Sequence, residues 1–284
     1  MEKIAVVTDT GSNLSFAQAK ELGIYLLPLQ ITIDETTYQD TLEISTQDIY
    51  KELAKGKMPK TSMAAYQKIY DLFEELKKEY DTVFAIPLTN GLSTNASTMQ
   101  SIARELEMNV HVIDMYATCA LEKHVAIWIK KLVDEHKSSE EILKIIQPAI
   151  DESNSLILVK NLQHLKRGGR LTPMAATLAG LLKIYPVLHI NKSTEGRIDV
   201  LNKVRTEKRA DAYAIDKVID DIDIEHTVIY IIHSDFLEGA NHFKKCFIEK
   251  GVPEQNIHID YISSVIAVHT GLGCIALQYI RKEN

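Results

Sequence analysis

The sequence is short of the residues that would announce a covalent or metal framework. Its three cysteines, Cys119, Cys246 and Cys274, are odd in number, far apart and outside any Cys-x-x-Cys pair. That argues against a disulfide scaffold and a zinc site, and points to a reducing cytoplasmic setting. Basic excess is also missing: 32 Lys and Arg stand against 39 Asp and Glu, a formal charge of −7. Such a balance excludes a general nucleic-acid or anionic-membrane surface, while leaving room for local basic patches. The longest apolar stretch, residues 174–190, is interrupted by Lys183 and Pro186, and falls short of the ~20 residues a spanning helix needs. The opening MEKIAVVTDT lacks a basic segment followed by an apolar one, so no secretory leader and no stable membrane insertion are expected. Neither the phosphate-cradling Gly-x-x-x-x-Gly-Lys nor the hydrolase elbow Gly-x-Ser-x-Gly occurs, and there is no internal repeat.

What is present is an ordinary globular composition, 284 residues with 45% hydrophobic and 25% charged, enough for two domains or one large α/β unit. Residues 3–8 (KIAVVT) read as a buried parallel strand that ends in the polar loop Asp9-Thr10-Gly11-Ser12-Asn13. Residues 24–33 read as a second strand, and Ser45-Thr46-Gln47-Asp48 open a helix to about residue 55 with a side-chain oxygen available as cap. Residues 64–79 read as a helix whose Tyr66, Ile69, Tyr70, Phe73 and Leu76 are expected in the core. Strand and helix continue to alternate to about residue 153, which predicts a largely parallel sheet flanked by helices. The second part, 154–284, is expected to be α+β with a mixed sheet. Its elements are a helix running to about residue 183, a hairpin around Glu195-Gly196, a helix at 207–221, and strands at 227–233 and 257–262.

Pro59-Lys60-Thr61-Ser62 sets two hydroxyls just after a residue that cannot sit inside a helix. Thr61 and Ser62 are therefore expected at a loop or helix start, where hydroxyl and free N–H donors make an anion seat. Alone, the pair suits an N-cap as well as a ligand site. Asp9, Thr10 and Ser12 end the first strand, where ligands gather in open α/β sheets, and they equally suit a capping role.

Six segments stand together in order and spacing: Thr8-Asp9-Thr10, Thr61-Ser62, Gly91-Leu92-Ser93, Gly168-Gly169-Arg170, Lys203-Val204-Arg205-Thr206 and Val268-His269-Thr270-Gly271-Leu272-Gly273. In this the sequence resembles the DegV family over essentially its whole length. The resemblance implies two α/β domains, here 1–153 and 154–284, that bury one long-chain fatty acid between them. It implies a non-catalytic, cytoplasmic subunit of a bacterial fatty acid kinase, whose ATP-binding partner subunit phosphorylates the bound carboxyl group and so feeds phospholipid synthesis. By the same resemblance Thr61, Ser62, Ser93 and His269 hold the carboxylate. Arg170 and Arg205 lie near the head-group opening, for kinase docking or phosphate neutralisation. No cofactor and no metal are expected. The chain departs from the family pattern at Ser93-Thr94-Asn95, Asp114-Met115, Ile184-Tyr185-Pro186 and Gly271-Leu272-Gly273; Tyr185 stands where the family often has lysine.

The chemistry of the residues agrees. Removing an alkyl chain from water gains about 0.8 kcal/mol per CH₂, and the single charged end then needs hydrogen-bond donors. Two other readings compete: a Ser/His-dependent acyl hydrolase or transferase using Ser93 or Ser62 with His269, and a binder of another small anion such as a sugar phosphate. The first lacks an elbow and an evident acid to orient the histidine.

Overall fold

A computed structural model describes residues 2–178 and 184–283. Its first strand, β1 (Ile4–Asp9), is wholly buried. It leads through the turn Thr10–Ser12 to α1 (Phe16–Leu22), capped by Ser15, and on to β2 (Tyr25–Leu27), which runs parallel to β1. Residues 24–33, expected as one strand, are two strands in two sheets. Pro28 offers no N–H to continue a ladder, and beyond it the chain enters β3 (Gln30–Ile33). β4 (Thr36–Gln39) pairs antiparallel with one side of β3. After α2 (Thr46–Ala54), β5 (Lys60–Ser62) pairs with the other side. Thr61 and Ser62 thus lie on a strand and not at a loop or helix start, because the extended backbone after Pro59 is taken into register with residues 30–32.

There follow α3 (Tyr66–Leu76), β6 (Thr82–Ile86), α4 (Asn95–Glu105), β7 (Val110–Val112), α5 (Ala120–Asp134) and α6 (Ser139–Glu152). The strands β2-β1-β6-β7 form the expected parallel sheet. Period-two alternation divides its side chains between two cores: Ile4, Val6, Phe84 and Ile86 face α5 and α6, while Ala5, Val7, Val83 and Ala85 face α3 and α4. Of the stripe expected in the core, Ile69, Phe73 and Leu76 are buried. Tyr66 and Tyr70 lie one step round the helix, stacked on each other, with Tyr66 exposed and donating to Glu105.

The remaining elements are β8 (Asn154–Leu158), α7 (Leu162–Arg167), α8 (Pro173–Leu178), β9 (Tyr185–Ile190), β10 (Asp199–Val204), α9 (Glu207–Asp221), β11 (Thr227–His233), α10 (Leu237–Glu249), β12 (Ile257–Tyr261), α11 (Ser264–Thr270) and β13 (Ile275–Arg281). The end of the helix expected to about residue 183 lies outside the described residues. β9 and β10 form the predicted antiparallel hairpin. The mixed sheet has the order β10-β9-β8-β13-β11-β12, with only β11 and β12 parallel. α7, α11 and β13 escape the sequence reading. The two helices are six and seven residues long, too short for a 3.6-residue period to show, and β13 carries the polar Gln278 inside its buried run.

One face of this sheet packs on α9 and α10 through Leu156, Val187, Ile231 and Leu277. The other face contributes Ile157, Leu188, Ile190 and Ile232 to a core that also holds Leu29, Ile31, Ile49 and Phe73 from the first part of the chain. Among the described residues no helix is long and apolar enough to cross a membrane. Tyr50 on α2 is buried at this junction, and its hydroxyl donates to the Ile262 carbonyl at 2.7 Å. Tyr50→Phe leaves that carbonyl without its donor. It is expected to lower the unfolding free energy by about 1–3 kcal/mol, seen as a lower urea midpoint at unchanged slope; an unmoved midpoint would show that the bond adds no stability.

Candidate functional site

Thr61, on β5, and His269, in the last turn of α11, lie 208 residues apart in sequence, and Thr61 Oγ1 stands 2.7 Å from His269 Nε2. The pair borders a cleft of ≈ 410 Å³ whose polar lining also includes Ser93 and Arg170 and whose apolar lining includes Leu29, Leu92, Ile198 and Val265. Four of the six predicted site residues are therefore gathered round one cleft as side chains with free or exchangeable hydrogen bonds. Ser62 also borders it, but alternation along β5 turns its hydroxyl outward, where it donates to Gln30 Oε1 at 3.0 Å. Arg205 is exposed between β10 and α9 and does not line the cleft.

His269 is held by its neighbours on α7 and in the loop after it. His164 donates through Nε2 to the Val268 carbonyl at 2.8 Å, which fixes that ring's tautomer and steadies the end of α11. Gly168 lies against the His269 ring: a Cβ there would come within 2.9 Å of Nδ1. Burial, then the neighbouring Arg170 guanidinium, press the His269 pKa down from 6.5 to about 4, so the ring is neutral at pH 7. Among the described residues Nδ1 is buried without a hydrogen-bond partner. No carboxylate orients it among the described residues, so the acid-histidine-serine arrangement of a hydrolase is not assembled here. Arg170 donates to the Gly168 carbonyl at 2.7 Å and forms no ion pair among the described residues, leaving other N–H groups for an anion.

Ser93 reaches the cleft on the loop between β6 and α4. Its Oγ accepts from Asn95 N at 3.1 Å, which leaves the hydroxyl proton to donate. The loop is braced by a close approach of two backbones: a Cβ on Gly91 would lie 2.1 Å from the Gly196 carbonyl oxygen, in the β9–β10 hairpin turn. Gly196 in turn has φ +70°, and its own Cβ would strike Thr89. Asn90 N donates to Asp114 Oδ2 at 3.1 Å, which ties this loop to the chain just after β7. Asp40, buried near the start of α11, accepts from Ser264 Oγ, and its burial raises its pKa to about 6. His164, Asp40 and Ser264 carried no signal in the sequence, since each acts through another residue. Among the described residues no cluster of His, Cys, Asp or Glu could hold a metal ion.

A protein-family model described as an uncharacterised protein of the DegV family matches residues 3–282. A DegV domain-containing protein of Halalkalibacterium halodurans is 33% identical, the match covering 99% of this chain and 100% of the relative. The crystal structure of a fatty-acid-binding DegV family protein of Streptococcus agalactiae superimposes with a TM-score of 0.91 at 30% identity, covering 100% of both chains. That of DegV, a fatty acid binding protein of Bacillus subtilis, gives 0.87 at 27% identity, covering 99% of this chain and 100% of the other.

A depressed histidine pKa has a defined effect on stability. Between pH 6.5 and about 4 the unfolded chain takes a proton that native His269 refuses. The stability this group contributes is complete above pH 6.5 and is lost as pH falls towards 4. Unfolding free energies measured across that window should fall less steeply with acid in His269→Gln than in the parent chain. Equal slopes, or an imidazole resonance titrating near its ordinary value, would show that the ring is solvated.

Proposed function

This chain belongs to the DegV family, and from that membership we propose that it binds one long-chain fatty acid in the cleft between residues 1–153 and 154–284. Thr61, Ser93 and His269 hold the carboxylate, with Arg170 beside it. The observation that carries the reading is the Thr61–His269 pair, one member from each part of the chain, bordering a cleft that also has apolar walls. Its volume of ≈ 410 Å³ lies within the range of about 300–1,000 Å³ typical of ligand sites. Ile266 and Thr270 line both this cleft and a deeper void of ≈ 20 Å³ walled by Ile157, Ile190 and Ile232, which gives the acyl tail its direction. Neutral donors suit an oxygen that must later receive a phosphoryl group, because they satisfy the anion without the tight grip of a buried bidentate arginine. Ser62 stays outside the head-group set while its hydroxyl serves Gln30. In the same reading the chain is a non-catalytic, cytoplasmic subunit that presents the carboxyl group to an ATP-binding kinase subunit, and the exposed Arg205 and the rim of Arg170 meet the negative charge that partner brings.

Organic extraction of protein purified from a bacterial host should release about one fatty acid per chain, as a single head-group site implies; a phosphorylated metabolite in its place would overturn the assignment. His269→Ala and Ser93→Ala should each weaken fatty-acid affinity about ten- to a hundredfold, the loss of a hydrogen bond to a charged group. A folded His269→Ala chain of parental affinity would remove that residue from the site.

For presentation to a kinase, Arg205→Ala should leave fatty-acid affinity within about threefold, as expected of an exposed charge, and sharply reduce acyl-phosphate formation once the partner subunit and ATP are added. Unchanged phosphorylation would make Arg205 an ordinary surface charge.

A further inference from the structure

Beneath the Ser93 loop two carboxyl groups are wholly buried together: Asp9, the last residue of β1, and Glu122, in the first turn of α5. Their donors are very unequally shared. Asp9 Oδ1 accepts from Gly11 N at 2.8 Å, and Oδ2 accepts from Leu88 N at 2.9 Å and Asn95 Nδ2 at 2.6 Å. Glu122 Oε1 has only Thr8 Oγ1, 3.1 Å away, and that hydroxyl's single proton is already directed at the Ile86 carbonyl at 2.7 Å. Among the described residues Glu122 Oε2 has no donor. An ionised Glu122 would thus be an unsatisfied charge in the interior beside a satisfied one. Both carboxyl groups crowd Gly11, where a Cβ would lie 2.7 Å from Asp9 Oδ1 and 3.1 Å from Glu122 Oε2.

We propose that Glu122 keeps its proton and donates it to Asp9, and that this acid–carboxylate pair is the device that positions Ser93 for its ligand. Asp9 grips both ends of the loop that carries Ser93, through the Leu88 N–H before it and the Asn95 side chain after it. The backbone N–H of the same Asn95 is the group that Ser93 Oγ accepts from. Moving Asp9 therefore moves the hydroxyl. Burial and the facing Asp9 both push the Glu122 pKa well above its ordinary value, and the Cys119 thiol at the start of α5 adds to this. The role given to Ser93 rests on the fatty-acid reading above; the location of the proton does not.

The test is infrared spectroscopy of the full chain joined to ligand affinity and amide exchange. At about pH 8, where Asp40 is ionised, the parent should show the carbonyl stretch of a protonated carboxyl, and Glu122→Gln should abolish it. Glu122→Gln keeps a donor towards Asp9, so fatty-acid affinity should stay within about threefold and exchange at residues 88–95 should be unchanged. Glu122→Met removes the bond, and Asp9→Asn puts a donor where an acceptor oxygen serves Gly11 N or Leu88 N and Asn95 Nδ2; both should raise that exchange and weaken palmitate binding about tenfold or more. No protonated-carboxyl band, a band that survives Glu122→Gln, or identical exchange in the Gln and Met variants would overturn the proposal. Should Glu122→Met fail to fold, the band and the Gln variant still decide. If the band and exchange behave as stated but no chain binds palmitate, the pair stands and the fatty-acid reading falls.

Discussion

The inner face of the six-stranded sheet cannot stand in water, and most of the site follows from how it is covered. α9 and α10 both pack on the opposite face, so Ile157, Leu188, Ile190 and Ile232 are buried only because α11 and the first part of the chain lie over them. At about 25 cal/mol per Å² of apolar surface, that closure outweighs any single hydrogen bond across the junction. Covering the face brings β5 to α11 and the Ser93 loop to the β9–β10 hairpin, so Thr61 meets His269 and Gly91 meets Gly196. The cleft is what is left where two surfaces that must touch do not fill all the space between them.

Much of the architecture was legible because it rests on local periodicity. β1 reads as an apolar run, the alternation of strands and helices predicted the parallel sheet, and Glu195-Gly196 marked the hairpin. Where local signals failed, a non-local partner had decided the outcome. Residues 60–62 are a strand because they pair with residues 30–32 across α2, which that short segment could not declare alone. Gln278 hid β13, yet its amide is fully used: it accepts from Ala120 N and donates to the Thr118 carbonyl and to Ser155 Oγ.

The site was legible in a different way. Thr61, Ser93, Arg170 and His269 could be named because motif order pointed to them, while nothing in their spacing placed them in one cleft. Ser62 and Arg205 stand apart from these four in placement. A strand's two-residue period turns Ser62 away from its neighbour, and Arg205 sits where β10 gives way to α9, outside the concavity. The supporting residues were the least visible, because His164, Asp40 and Glu122 matter only through the group each one touches.

At the cleft, Thr61 Oγ1 and His269 Nε2 are bonded to each other. An incoming head group must compete with that bond, and what it can offer in exchange depends on its charge. A carboxylate brings two acceptor oxygens and a full negative charge for Arg170, which has no acidic partner among the described residues. An alcohol or a primary amide of the same chain length would break the same bond and bring no charge to the guanidinium. On the fatty-acid reading proposed above, that internal bond acts as a filter on ionisation state, favouring the anion over neutral lipids of the same chain length.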